Sequence, residues 1–209
     1  MPHPMDWKKT TRESYDRHAK DFELHSKTYR GKSKDWIDFF VSHFKKNDKI
    51  LDVGCGSGRD SRYLFDRGLN VVGIDFSKEL IKIAKKKNPK GKFLVMDFED
   101  MDFPDSSFNG VWAHASLLHV PKDKLLSILK KIQSIMKEGG LFFSSFRVGK
   151  DEKFTVERRG NADLKRFYAY YSVQELKNIF EKAKFTIAQS EQDTISSGDW
   201  VVFFVTKTR

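Results

Sequence analysis

A chain of 209 residues with 39% hydrophobic, 14% aromatic and 33% charged positions has the size of one compact domain and ample material for a core, which excludes disorder. Lys and Arg outnumber Asp and Glu by 39 to 29, a formal charge of +10. The excess is spread along the chain, however, and its densest run (Lys82, Lys85, Lys86, Lys87, Lys90 and Lys92) suits the solvated face of a helix rather than a nucleic-acid site. A single cysteine, Cys55, excludes an intramolecular disulfide and a zinc framework, and the longest apolar run, Trp200 to Val205, is far short of the roughly 20 residues of a membrane span.

The opening MPHPMDWKKTTRES has no apolar stretch, so no signal peptide is expected; a soluble, reduced, cytoplasmic protein with no membrane partner is. Residues 1–48 read as helical, with Trp36, Ile37, Phe39, Phe40 and Phe44 forming an apolar stripe. From residue 49 strands and helices alternate. Lys49 to Val53 is a buried strand, Gly54 to Gly58 a glycine-rich turn, and Asp60 to Asp66 a helix closed at Gly68. Asn70 to Asp75 is a second strand, followed by a helix capped by Ser77 and ended at Asn88-Pro89. Phe93 to Met96 and Gly110 to Ala113 are the third and fourth strands. Pro121 opens a long amphipathic helix carrying Leu125, Leu129, Ile132 and Met136, which Gly139-Gly140 should stop before a fifth strand, Leu141 to Phe146. A helix over Ser172 to Lys182 precedes two closing strands, around Phe185–Ser190 and Trp200–Thr206, joined by a Ser196-Ser-Gly-Asp199 turn. The pattern predicts an α/β fold, a mostly parallel, doubly wound sheet with an antiparallel final pair. The 25 residues from Arg147 to Tyr171 exceed an ordinary connection and read as a lid loop.

The chemistry concentrates at strand ends. Leu51-Asp-Val-Gly-Cys-Gly-Ser-Gly58 places three alternate glycines where a strand turns into a helix, and the carboxyl end of the first strand is where open parallel sheets bind ligands. A dinucleotide fingerprint would need glycine at 59 or 61, where Arg59 and Ser61 stand, and no triphosphate P-loop is present. Asp75 ends the second strand, where a carboxylate can accept hydrogen bonds from both hydroxyls of a ribose. Asp97 ends the third, suited to an adenine amino group, with Phe98 able to pack on the ring. Any one of these aspartates alone would be an ordinary cap or turn residue; three at successive strand ends form a pattern.

With these residues the chain resembles class I S-adenosylmethionine-dependent methyltransferases of the broad small-molecule type over about residues 35–209. The resemblance implies a Rossmann-like seven-stranded sheet in a single methyltransferase domain, with residues 1–48 as a helical cap and 147–171 as the lid. It implies S-adenosyl-L-methionine as cofactor, with Asp52, Gly54, Cys55, Gly56, Gly58 and Arg59 around its methionine part, Asp75 and Phe76 at the ribose, and Asp97 and Phe98 at the adenine. Phe108-Asn-Gly-Val-Trp-Ala-His-Ala-Ser-Leu-Leu-His-Val120 matches the family's F-D-x-V…L-H-H segment, with Asn109 for Asp and Val120 for the second His, and puts Ala113 and His114 against the cofactor. Tyr15, in Tyr15-Asp-Arg-His-Ala-Lys-Asp-Phe22, stands where a cap tyrosine reaches the cofactor or the reaction chamber.

Methyl transfer from a sulfonium depends chiefly on alignment, so no fixed triad is required. His114, His119 and Tyr15 are the candidates for any proton removal, although His119 reads first as a hydrogen-bonded structural histidine. His114 and His119 lack a third ligand, so no metal is expected. Arg158, Arg159, Arg166, Tyr168, Tyr170 and Tyr171 mix cations and aromatics in a way that suits an anionic or aromatic small-molecule acceptor. Two other functions compete. Arg166-Phe-Tyr-Ala-Tyr-Tyr171 followed by Gly198-Asp-Trp-Val-Val202 loosely resembles tRNA wobble-uridine methyltransferases, although no RNA-binding module or basic block accompanies it. A cofactor-binding regulatory protein without turnover has Asn109 as its one hint.

Overall fold

The computed structural model describes residues 7–29, 31–159, 161–195 and 198–207. Three helices, α1 (Trp7–Arg17), α2 (Ala19–His25) and α3 (Ser33–Ser42), precede the alternating region. There follow β1 (Lys49–Val53), α4 (Arg59–Asp66), β2 (Asn70–Asp75), α5 (Lys78–Lys87), β3 (Lys92–Val95), β4 (Phe108–Ala113), α6 (Lys122–Ile135) and β5 (Met136–Val148). The chain closes with β6 (Glu152–Arg159), β7 (Ala162–Tyr171), α7 (Val173–Lys182), β8 (Phe185–Ile195) and β9 (Gly198–Lys207). Among the described residues no helix is long and apolar enough to cross a membrane.

The sheet runs β3-β2-β1-β4-β5 in parallel, with β9 antiparallel to β5 and β8 antiparallel to β9. These are the seven strands expected. Both faces are buried, and the central strands show it in their alternation. Val111, Phe142, Val201 and Phe203 point into one core with α6 and α7, whereas Trp112, Phe143, Val202 and Phe204 point into another with Trp36, Ile37 and Phe40 of α3. Trp112 and Phe143 stack across β4 and β5 with ring centroids 3.9 Å apart. Each fully buried aromatic of this kind contributes about 1.5–3 kcal/mol of hydrophobic stabilisation.

Two departures from the sequence reading have physical causes. The long helix ends at Ile135, and Met136 with Gly139-Gly140 belongs to β5. The Ser106 and Ser107 N–H groups donate to the Ser134 and Ile135 carbonyls (2.9 and 2.8 Å), so the end of the helix is satisfied from outside and Met136 is released to pair with Phe108. The second departure is larger. Residues 147–171 do not form the expected lid loop: β6 and β7 make an antiparallel hairpin registered from Glu152↔Ala169 to Arg159↔Ala162, giving nine strands among the described residues. β9 pairs one edge of β5 from Leu141 to Arg147. β4 occupies the other edge as far as Ser144, and β7 takes that edge over at Arg147↔Tyr170 and Val148↔Tyr171. The hairpin therefore rises directly above the carboxyl end of β4. Ser196 and Ser197 of the expected closing turn lie outside the described residues.

Helix α1 ties the hairpin to the rest of the molecule. The Phe167 N–H donates to Thr11 Oγ1 (3.0 Å), and Trp7 packs on Phe167. One residue after Tyr15, Asp16 accepts from Ser77 Oγ (2.7 Å) and from the Glu79 N–H (3.1 Å) at the start of α5, a natural place for a carboxylate. α1 thus spans the open edge of the sheet from α5 to β7.

Candidate active site

The cleft at the carboxyl ends of the strands is floored by Asp52, Gly54, Cys55, Gly56, Asp75 and His114 and roofed by Tyr15, Phe22 and His25 of the first two helices with Glu157, Arg166 and Tyr168 of the hairpin. The β1–α4 turn shapes one half. Gly54 (φ +73) is left-handed, and a Cβ there would lie 2.3 Å from the Ser116 Cβ, so the turn and the segment after β4 meet only across a glycine. Gly56 (φ +54) opens onto Phe22, whose ring an added Cβ would approach to 3.3 Å. Its N–H donates to Asp75 Oδ2 (2.9 Å), while the Ser77 N–H donates to Oδ1 (2.8 Å). Burial raises the Asp75 carboxyl to about 6 against these two bonds. Beyond it the Phe76 and Phe98 rings face each other 14° from parallel with centroids 6.5 Å apart.

Asp60, which the sequence reading passed over, organises the floor between the two halves. It accepts from Arg59 Nε (2.7 Å) and Trp112 Nε1 (2.9 Å), and its Oδ2 lies 3.1 Å from His114 Nδ1, which Arg59 Nη2 also approaches (3.0 Å); the Arg59 charge holds its carboxyl well below the usual range despite burial. Arg59 also reaches the Ser26 carbonyl (3.2 Å) and lies over the Tyr29 ring. Asp52, bonded to Ser61 Oγ (2.6 Å), is pushed up to about 8 by burial and by the Asp60 charge. His114 reaches the cleft because Ala115 turns the chain with φ +53, its N–H held by Ser145 Oγ (2.7 Å).

A buried relay closes the far wall. Glu157 accepts from Arg166 Nη2 (2.6 Å), and Arg166 Nη1 donates to the Tyr15 hydroxyl (2.7 Å), whose oxygen lies 2.9 Å from His119 Nε2. His119 Nδ1 is 2.5 Å from the Phe167 carbonyl. Only an Nδ1–H can face a carbonyl, so Nε2 is the acceptor and Tyr15 donates to it. Burial and the Arg166 charge lower His119 to about 3, keeping the imidazole neutral.

Three of the sequence candidates stand apart from the cleft. Gly58 (φ +81) is needed for packing: a Cβ would meet Asn88 Nδ2 at 2.9 Å and the Ala84 Cβ at 3.1 Å. Ala113 is wholly buried in the core. Asp97 caps the short turn after β3 through the Glu99 N–H (2.9 Å) and pairs with Lys8 of α1 (3.1 Å). Of the lid candidates, Arg166 and Tyr168 line the cleft; Tyr171 is buried under the hairpin in the main core. Asn109 lies at the opposite end of β4, accepting from the Lys49 N–H and Lys137 Nζ (3.0 Å each), so it joins strands and does not touch the site. Besides Asp60, the reading missed Phe22, Trp36, Arg147, Glu157 and Trp200 in the lining; their positions depend on the packing of α2, α3 and the hairpin, which no local motif encodes.

Residues 51–144 match the family model of a methyltransferase domain. The chain is 36% identical over 103 residues to the eEF1A lysine and N-terminal methyltransferase of Bos taurus, covering 47% of this chain and 15% of that protein. It is 27% identical over 157 residues to the demethylmenaquinone methyltransferase of Symbiobacterium thermophilum, covering 68% and 60%. The chain therefore spans less than two thirds of the length of these curated relatives. In overall fold it is similar to the 1,6-didemethyltoxoflavin-N1-methyltransferase of Burkholderia thailandensis, with a TM-score of 0.78 and 19% identity over 100% of this chain and 92% of that one. Residues 51–144 thus match a methyltransferase domain in sequence, and the strand order and glycine turn belong to the same Rossmann-like fold as the solved methyltransferase.

Proposed function

We propose that the protein transfers a methyl group from S-adenosylmethionine to an oxygen or nitrogen of a small-molecule acceptor held in this cleft. The cofactor half fits the group on the structure's own terms. Gly56 leaves the turn open to close approach, Asp75 offers a buried carboxylate, the Phe76 and Phe98 rings flank a slot for a flat base, and the buried Ser116 Oγ on the cleft wall has no partner among the described residues. Asp75 would take the ribose hydroxyls, Phe76 and Phe98 the adenine, and the Gly54–Gly56 turn with Asp52 the methionine part. Bound there, the cofactor supplies a methyl group on a positively charged sulfur.

The chain's own part is to orient the acceptor and exclude water. His119, its pKa lowered to about 3, is a neutral imidazole at neutral pH with its one proton on Nδ1, and it positions Tyr15 by accepting from the hydroxyl through Nε2. His114, braced by Asp60, and Tyr15 remain the groups facing the acceptor space.

The observation that carries the small-molecule reading is the roof. α1, α2 and the β6–β7 hairpin wall the cleft above the strand ends, a space suited to a compact acceptor. The bovine relative named for eEF1A lysine and N-terminal methylation and the bacterial one named for demethylmenaquinone represent protein and small-molecule acceptors respectively, so the acceptor class is open to direct test. Incubation with methyl-labelled S-adenosylmethionine and separated metabolite, tRNA and protein fractions should place label in the metabolite fraction. Label confined to tRNA or to protein would replace this reading, and no label in any fraction would favour a regulatory protein without turnover.

A further inference from the structure

Among the described residues three arginines line the cleft. Two are engaged within the fold, Arg59 by Asp60 (2.7 Å) and Arg166 by Glu157 (2.6 Å). Arg147 differs. Among the described residues no carboxylate or carbonyl pairs with its guanidinium, and its buried Nη1 has no hydrogen-bond partner. Its neighbours are the Trp200 ring, with Cζ 5.1 Å from the ring centroid, and Gly198 (φ +115), where an added Cβ would come to 3.4 Å from Cζ and Nη2. Asp193 lines the same wall, paired in register with Trp200 across β8 and β9, but its carboxylate faces the Lys32 N–H (3.4 Å).

A guanidinium keeps its charge in a protein, so the cost of drawing it from water is not relieved by deprotonation. Arg147 is half-buried, with Nη1 cut off from solvent and unpartnered, so an anion entering the cleft would supply the acceptor that the fold leaves out. Arg147 stands at the carboxyl end of β5, on the side away from Asp75, Phe76 and Phe98, and so belongs to the acceptor half. The Trp200 ring and the backbone of Gly198 lie beside it, and a guanidinium fork of this kind suits a planar anion. Trp36, Tyr168 and Trp200 supply flat apolar walls to the same space.

We propose that Arg147 is an anion-reading subsite and that the acceptor is a planar aromatic or heteroaromatic compound carrying a carboxylate. The inference rests on the methyl-transfer reading above and names the acceptor for it. One unpaired guanidinium, with Asp193 and Glu157 on the same cleft, suits a single negative charge; a dianionic phosphate would meet those two carboxylates as well.

The test is calorimetric titration of the full chain loaded with S-adenosylhomocysteine. Benzoate, indole-carboxylate and quinoline-carboxylate are the probes, each beside its carboxamide and beside phenyl phosphate. At least one carboxylate should bind about 10- to 100-fold tighter than its amide, the range of a charge-assisted bidentate pair. Arg147→Gln should abolish that preference while leaving S-adenosylhomocysteine affinity unchanged, and Arg147→Lys should retain part of it. The inference is overturned if no carboxylate is preferred, if phenyl phosphate is preferred, or if Arg147→Gln keeps the preference. Failure of wild-type protein to bind S-adenosylhomocysteine would instead remove the methyl-transfer reading, so the two failures are separable.

Discussion

Asp75 combines two tasks that pull its proton in opposite directions. The side chain is 6% exposed, and burial holds it at about 6 although two backbone N–H groups stabilise the ionised form. Ribose hydroxyls donate most strongly to the ionised carboxylate. Affinity for S-adenosylhomocysteine should therefore be flat above pH 7 and fall by about tenfold per unit below pH ~6. Asp75→Ala should weaken binding about 10- to 1000-fold, since two charge-assisted bonds are lost and water restores part of them; titration calorimetry at several pH values measures both effects. His119 responds to acid in the same direction, through stability. Its pKa is depressed from ~6.5 to about 3 in the folded state, so it contributes stability that is present above pH ~6.5 and is lost as pH falls toward 3. Between pH 6.5 and 4.5 that loss is roughly 2–3 kcal/mol. Urea unfolding at the two pH values should show wild type losing more stability than His119→Gln by this amount; equal losses would show that His119 is not buried neutral. At Gly54, alanine adds a Cβ 2.3 Å from the Ser116 Cβ at a left-handed φ. Gly54→Ala should cost about 3 kcal/mol or more and displace the cleft floor, seen as a lowered unfolding midpoint and weakened ligand binding.

Among the elements, the joint between α1 and the hairpin is the most exposed to single changes. The Arg166 side chain is 3% exposed and that of Glu157 19%, so removing the carboxylate strands a buried cation. Glu157→Gln should destabilise by about 3 kcal/mol, with hydrogen exchange rising in β6, β7 and α1 and remaining slow in β1, β2 and β4. Uniform loss of protection would show that the hairpin does not open separately from the sheet. The same joint explains what the sequence could and could not disclose. α5 and α7 are local matters: Ser77 accepts from the Leu80 N–H, and Ser172 with Glu175 forms a complete capping box, so both helices are readable from a few neighbouring residues. The strand-end residues Asp52, Gly54, Gly56 and Asp75 were readable for the same reason. β6 and β7 carried one local signal, the Gly160-Asn161 pair between two runs of mixed character. Their alternating charged residues read as a solvated loop because the groups that bury them, Thr11, Tyr15 and Trp7, come from the other end of the chain. Arg147 was hidden likewise, since its role depends on Trp200 and Gly198 of a strand more than fifty residues away.

For the molecule as a whole, the cleft lies between parts that are held together mainly at their rims. α1 is anchored to α5 by Asp16 and to β7 by Thr11 and Tyr15, so a ligand touching floor and roof links the two anchor sets. At 100 times its Kd, S-adenosylhomocysteine should stabilise the protein by about 2.7 kcal/mol. The protection should extend to α1, α2 and the hairpin when an acceptor is added, beyond that from either ligand alone. Hydrogen exchange with each ligand and with both is the measurement; protection confined to β1, β2 and α4 in all three states would place the roof outside the binding event.

The manner in which β5 changes partners along one edge has a consequence for how such a chain can be rebuilt. Val148 and Tyr171 are neighbours in register, and the Gly149 N–H donates to the Tyr171 carbonyl (3.0 Å). The hairpin thus leaves and re-enters the body of the protein at one doorway, like a module plugged into a socket. Its length and sequence can change with little entropic penalty to the sheet below, because closing the doorway depends only weakly on how much chain lies beyond it. Arg166, Phe167 and Tyr168 are among the residues that tether it to His119 and the cap, with Glu157 bracing Arg166 from within the hairpin. Variation in that insert can remodel the roof of the cleft while the floor built on β1 and β2 keeps its geometry. On the methyl-transfer proposal, the choice of acceptor would be free to drift independently of the chemistry of the donor.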